Sequence, residues 1–337
     1  MAIDLAWLAE RLQIWAEAHY GEHAHVTAVE TMPGHAGLSF GFSVLHGAEH
    51  DECDELVMRV PPKGVRRKGN TDVIRQVPLL QALHADGVRV PPVRWWSEDE
   101  QWFDVPYFMV DRLPGRTFAF RDPTVQPDPA MVRSVFEQAV DALVTIHKFD
   151  WRVRLADWEK PRPLADEVAY WEPILQKAAE PEWIAMGEEV RDLLVAQLPV
   201  DAPVGLFHGD FQTSNLLFDD GVLVAVLDWE ISGIGGHRLD IGWLLMMNDP
   251  ESWYDAGSFD GGPDLTALEA RYEDGMGTKV GDIGWYRALS GYRFGVISGL
   301  NVMLHRTGKR HDPEWERIAL SVPFLFGRAR DLLKGAT

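Results

Sequence analysis

The chain has 337 residues, 46% hydrophobic and 25% charged, a composition that excludes disorder and gives enough length for two lobes. Its 32 Lys and Arg face 52 Asp and Glu, and a formal charge of -20 disfavours nucleic acid or an anionic membrane as a partner. Cys53 is the single cysteine, which excludes an internal disulfide and a cysteine-rich zinc site. No apolar run reaches the roughly 18 residues of a membrane span. The start, "MAIDLAWLAE", lacks a basic leader region, so a cytoplasmic location is expected.

Residues 4–19 predict an amphipathic helix, with Asp4 as cap and Leu5, Leu8, Leu12 and Trp15 at helical spacing. From Val26 to Val60, glycines and β-formers around "HGAEHDECDE" predict strand, loop and strand. "PPKGVRRKGN" reads as a loop. A helix then opens at Asn70, Thr71 or Asp72 and runs to about Ala85. "VRVPPVRWW" and "PYFMVDRL" are two further strands, and Leu113-Pro114-Gly115 marks a hinge. Beyond it helices dominate, over about 129–149, 182–197, 239–247, 282–305 and 313–334, interrupted by a β-rich island from Leu206 to Leu227. The expected organisation is a small antiparallel-sheet lobe with one main helix, residues 1–112, and a larger, mostly helical lobe, residues 113–337.

The island carries the strongest chemical signal, "LFHGDFQTSNLLFDDGVLVAVLDWE". His208-Gly209-Asp210 is followed at the H-x-D-x-x-x-x-N offset by Asn215; a hairpin turning at Asp219-Asp220-Gly221 then leads to Asp228. That is the base and metal constellation of kinase-type phosphoryl transfer. Asp210 is the candidate base for an acceptor hydroxyl, and Asn215 and Asp228 supply the oxygen ligands that Mg²⁺ prefers. His208 reads as a structural holder of the loop. Asp240, in "HRLDIGW", either anchors the same loop or caps its own helix.

With these residues in view the chain resembles the aminoglycoside phosphotransferase-like (choline kinase) superfamily of small-molecule kinases. "HGDFQTSN", "VLDWE", "RLDIGWLL", "PYFMVDRLPG" and "ALVTIH" near His147 carry the resemblance. It implies an α+β, bilobal, protein-kinase-like fold, ATP or GTP as co-substrate, Mg²⁺, and a hydroxylated small molecule as acceptor. Met109 and Asp111 fall in the hinge expected to hold the nucleotide. Only eleven residues separate Asp228 from Asp240 and no A-P-E follows, so the platform that holds a peptide substrate is missing. Trp171, Trp183, Trp243, Trp253, Tyr254, Trp285 and Tyr286 read mostly as core, with one or two left for an acceptor pocket. The oligomeric state is not legible.

"GHAGLSFGFSV" contains the G-x-S-x-G pattern around Ser39, but strand follows it where a nucleophile elbow needs a helix. The segment reads instead as a phosphate loop, with Gly37 and Ser39 as contacts. Arg59, in "LVMR", stands where kinases carry a lysine, and Gln76 stands where its helix glutamate belongs. Asp72, one turn earlier, is expected to supply the missing charge. These departures keep open an alternative, a nucleotide-binding pseudokinase acting as an interaction module.

Overall fold

The structure, a computed structural model, describes residues 3–32, 38–62, 64, 67, 69–118, 128–255 and 261–335. Asp4 accepts hydrogen bonds from the N–H groups of Ala6 (2.8 Å) and Trp7 (3.1 Å), which caps helix α1 (Leu5–Tyr20). Alternating side chains then build an antiparallel sheet from β1 (His25–Thr31), β2 (Leu38–His46), β3 (Glu52–Val60), β4 (Val93–Ser97) and β5 (Tyr107–Asp111). The strand order is β1-β2-β3-β5-β4. α1 lays Leu8, Leu12 and Trp15 on Phe40, Phe42, Val44, Met58 and Met109, all buried. The indole N–H of Trp15 donates to the Tyr107 hydroxyl at 2.8 Å, so this core closes without an unsatisfied polar atom at its centre.

The helix expected from 70–72 starts later. Two 3₁₀ turns, Gly69–Thr71 and Val73–Arg75, precede α2 (Gln76–Ala85). Asp72 does not cap: its carboxylate meets the Arg67 guanidinium at 3.3 Å. Gln76 is therefore the first residue of the α-helix, not a mid-helix position.

The remaining elements are mostly helical: α3 (Pro129–His147), α4 (Trp151–Arg154), α5 (Leu164–Tyr170), α6 (Glu172–Leu175), α7 (Pro181–Ala196), α8 (Leu239–Met247), α9 (Leu265–Met276), α10 (Ile283–Arg306), α11 (Glu314–Ala319) and α12 (Val322–Leu333). α10 is the axis, packed by α6, α7, α8, α11 and α12. The helix expected over 313–334 is two helices, because Pro323 lacks the N–H needed inside a helix and opens α12. Helices α4, α5, α6 and α9 had no place in the sequence reading; α9 nonetheless carries a clear signal, Asp264 capping Thr266 and Ala267.

The island after α7 holds β7 (Val204–Phe207), β8 (Leu216–Asp219), β9 (Val222–Val226) and β10 (Gly233–Gly236). β7 and β10 pair antiparallel, and a second small sheet runs β6-β8-β9, with β6 at Arg116–Thr117. Positive φ at Asp220 and Gly221 turns the β8–β9 hairpin where the sequence places it.

By contacts the chain divides into two compact units. One comprises Met1–Arg116 with Leu217–Asp219 and Val224–Ile231; the other comprises Thr117–Leu216, Asp220–Leu223 and Ser232–Thr337. No described helix is long and apolar enough to cross a membrane.

Candidate active site

β7 delivers the chain into His208, which is fully buried, and then into Gly209 at φ +92° and Asp210. The left-handed backbone at Gly209 lets two successive N–H groups turn toward one acceptor. That acceptor is Asp240, the second residue of α8, whose carboxylate takes the N–H of His208 at 2.7 Å and of Gly209 at 2.8 Å. Of the two roles open to Asp240, loop anchor is the one the geometry carries. Burial pushes its carboxyl upward, and the two backbone donors pull the other way.

Asp240 has a further neighbour in His147, at the end of α3. The His147 Nε2 lies 3.2 Å from Asp240 Oδ2, and its Nδ1 lies 2.7 Å from the Tyr272 hydroxyl. Complete burial lowers the His147 pKa to about 3, so the ring is neutral at ordinary pH and the contact is a hydrogen bond rather than an ion pair. From α10, the Arg293 guanidinium donates to the Gly209 carbonyl at 3.1 Å and stacks over the rings of Trp171 and Trp243. The loop is thus gripped at both its N–H and its C=O groups. Trp171, Trp183, Trp243, Trp253, Trp285 and Tyr286 are all buried, and Tyr254 is exposed.

Asp210 itself is held by its own loop. Its N–H donates to His208 Nδ1 at 3.2 Å. Gln212 Nε2 donates to its Oδ1 at 2.7 Å; Asn215 Nδ2 donates to its Oδ2 at 3.0 Å and to its carbonyl at 2.8 Å. An ionised carboxylate has about four lone-pair sites on its two oxygens, more than these two side-chain bonds use. Because the Asn215 amide nitrogen is committed to Asp210, its Oδ1 is the atom left for a cation.

Asp228 lies two residues past β9 at φ +62°, uncommon for a residue with a side chain and a cost of order 1 kcal/mol or more. Its Oδ1 is 3.2 Å from Arg59 Nη1, and Glu230 Oε2 is 3.2 Å from Arg59 Nη2. Arg59 sits on β3 directly opposite Ser39 on β2, so these two predicted phosphate contacts are paired neighbours. Gly37 lies outside the described residues. Gln76 is buried at the head of α2, and the described partners of Arg59 are Asp228 and Glu230 rather than Gln76 or Asp72. The expectation that Asp72 balances Arg59 is corrected: its carboxylate is committed to Arg67. Met109 is fully buried in the sheet core, and Asp111 meets Arg94 at 3.2 Å. Gln212, Glu230 and Arg293 are the residues that sequence reasoning missed. The first two stand inside quoted motifs, "HGDFQTSN" and "VLDWE", so their positions were visible and their partners were not.

Among the described residues no group of three or more His, Cys, Asp or Glu forms a ready-made metal cage. The Asp228 carboxylate and the Asn215 amide oxygen are each of the oxygen-donor type that Mg²⁺ accepts.

A buried, doubly anchored His-x-Asp loop with a partner Asn has the form of the catalytic loop of kinase-type phosphoryl transfer. The chain belongs to the phosphotransferase enzyme family, whose family model matches residues 35–273. It has a kinase-like α+β fold. A Ralstonia eutropha protein assigned to the aminoglycoside phosphotransferases superposes with a TM-score of 0.77 at 21% identity, covering 97% of this chain and 98% of that one. A microcompartment-associated aminopropanol kinase gives 0.63 at 16% identity, covering 99% and 98%. The GDP complex of wild-type aminoglycoside 2'-phosphotransferase-IIIa gives 0.65 at 12%, covering 95% and 98%. Among curated proteins, mouse acyl-CoA dehydrogenase family member 10 is 27% identical over 197 residues, 57% of this chain. Human family member 11 is 27% identical over 191 residues, 55% of this chain. The chain spans only 18% and 24% of the length of these two relatives.

Proposed function

We propose that the protein transfers the γ-phosphate of ATP or GTP to a hydroxyl group of a small molecule in the cytoplasm. Residues 1–112 hold the nucleotide and residues 113–337 carry the base and the acceptor. The observation that carries this reading is the anchored loop: Asp240 fixes the backbone of His208 and Gly209, and Gln212 and Asn215 fix the Asp210 carboxylate. Rigid aim of a carboxylate is what general-base transfer from a hydroxyl requires.

Asp210 takes the acceptor proton as the oxygen attacks. Ser39, Arg59 and the glycine segment containing Gly37 bind phosphate oxygens, and the nucleotide lies along the Met109–Arg112 stretch, with Asp111 at its end. Asn215 Oδ1 and the Asp228 carboxylate hold Mg²⁺, which when bound offsets negative charge on the phosphates.

Two acceptor classes are supported by different observations. The acidic charge of -20 and the aminoglycoside phosphotransferase neighbours favour a cationic aminoglycoside. The curated relatives are named for acyl-CoA dehydrogenation, which favours a hydroxylated acyl thioester. Nucleotide consumption against a panel holding aminoglycosides, macrolides, amino alcohols and hydroxyacyl thioesters tests both. Turnover with one class assigns the acceptor; a thermal shift with nucleotide and no turnover with any acceptor supports the pseudokinase reading instead.

A further inference from the structure

We propose that Glu230 is the positioning residue for Arg59, doing from the strand end what a glutamate on the helix does in kinases that keep the usual pair. The inference rests on the phosphoryl-transfer reading above, since it concerns the cation that meets the phosphates.

Arg59 is largely shielded and faces two carboxylates at once, Asp228 and Glu230, each at 3.2 Å and each through its own terminal nitrogen. The helix cannot supply the counter-charge. Gln76 is neutral, and its Nε2 finds no hydrogen-bond partner among the described residues. Asp72 is taken by Arg67. Glu230 reaches Arg59 because of what lies between the two acids. Trp229 is buried, and its indole N–H donates to the Val226 carbonyl at 3.0 Å. That tether turns the tryptophan into the core and leaves the side chains on either side of it to meet the same guanidinium. At the start of α2, Arg75 then donates to the Glu230 carbonyl at 3.2 Å. The helix still secures the assembly, but through a backbone oxygen in place of a glutamate.

The two partners of Arg59 differ in what else is asked of them. Asp228 is 36% exposed and is the carboxylate assigned to Mg²⁺; Glu230 is 12% exposed and is not assigned to the metal. A cation that relied on Asp228 alone would compete with the metal for it. With Glu230 present, Arg59 stays placed when Asp228 turns to another ligand. This also accounts for arginine in the lysine position, since a planar fork serves two carboxylates where an ammonium point charge serves one.

The test measures ATP and GTP affinity by titration calorimetry, in EDTA and again with Mg²⁺, for the wild type, Glu230→Gln, Glu230→Asp, Arg59→Gln and the double variant Arg59→Gln/Glu230→Gln. Loss of one charge-assisted contact in a partly shielded site should weaken nucleotide binding about 10-fold in Glu230→Gln, with a matching rise in KM and little change in kcat. Glu230→Asp should stay within about 3-fold, and in the Arg59→Gln background the Glu230 change should add nothing, because their effects are coupled. Wild-type affinity in Glu230→Gln overturns the proposal, as does a full additional loss in the double variant. Should Glu230→Gln not fold, the folded Glu230→Asp variant decides, retained affinity supporting the proposal and a 10-fold loss overturning it. The underlying reading is separable: it fails if Asp210→Asn transfers phosphate at the wild-type rate, whatever Glu230 does.

Discussion

Replacing Asp240 by Asn is the sharpest perturbation of the loop, because it exchanges one oxygen for an NH₂ group at nearly constant volume. The wild-type carboxylate accepts the Gly209 N–H through Oδ1 and the His208 N–H through Oδ2, at 2.8 and 2.7 Å, inside a fully buried site. An amide has one oxygen, so whichever way it is set, its NH₂ faces one of those two N–H groups and leaves it unpaired. A buried backbone donor without a partner costs about 1–3 kcal/mol, and weakening a charge-assisted bond adds about 1–2 kcal/mol. The expected destabilisation is therefore about 2–5 kcal/mol, read as a lower urea midpoint at unchanged m-value. The loop that loses its anchor also carries Asp210, and a displacement of order 1 Å at a reacting group costs up to about 100-fold in rate. kcat should fall by about 10- to 100-fold while the KM for nucleotide changes little. A variant with the wild-type urea midpoint and wild-type kcat would refute the claim that Asp240 positions the loop.

Three further outcomes follow from the same geometry. His147 and His237 are both held neutral by burial, each lowered to about 3, so the unfolded chain binds more protons than the folded one below pH 6.5. Their stability contribution is complete above that pH and is lost as pH falls toward 3; at pH 5.5 the loss is about 1.4 kcal/mol for each. Urea unfolding at pH 7.5 and 5.5 measures it, and His237→Asn should remove about half of the change due to this pair. Asp228→Asn should keep wild-type stability, because Asn tolerates the left-handed backbone, yet weaken Mg-nucleotide binding at least 10-fold; equal affinity in calorimetry would remove Asp228 from the metal site. At Gly242, two residues past Asp240, an added Cβ would fall 2.6 Å from the Tyr286 carbonyl on α10. Gly242→Ala should displace α8, cost about 1–3 kcal/mol in urea unfolding, and lower kcat more than it raises nucleotide KM.

The elements that sequence made legible are those whose signal is local. Asp4 and Asp128 cap helices that begin one residue later, and the alternation around Phe40, Phe42 and Val44 marks a strand with one buried face. The hairpin between Asn215 and Asp228 followed from the turn Asp219-Asp220-Gly221 between the apolar runs "NLLF" and "VLVAVL". What stayed illegible depends on partners far away in the chain. Arg59 and Glu230 are 171 positions apart, and no spacing rule joins them. Helical periodicity pointed to Asp72, because the 3₁₀ turns ahead of α2 do not show in a pattern of apolar residues. Asp240 presented two roles in sequence because a first-turn acid serves equally well as a cap; only the position of the His208 and Gly209 N–H groups separates them. Arg293 carries no motif that marks it in sequence, and on α10 it is buried between two indoles.

Phosphoryl transfer with Asp210 as base is tested most directly by labelled phosphate. The wild type and Asp210→Asn are incubated with γ-labelled ATP or GTP, Mg²⁺ and the acceptor that the panel identifies, while nucleotide affinity is measured in parallel. Transfer in the variant should drop about 100- to 10,000-fold with nucleotide affinity unchanged. Label reaching the acceptor at the wild-type rate would contradict the assignment.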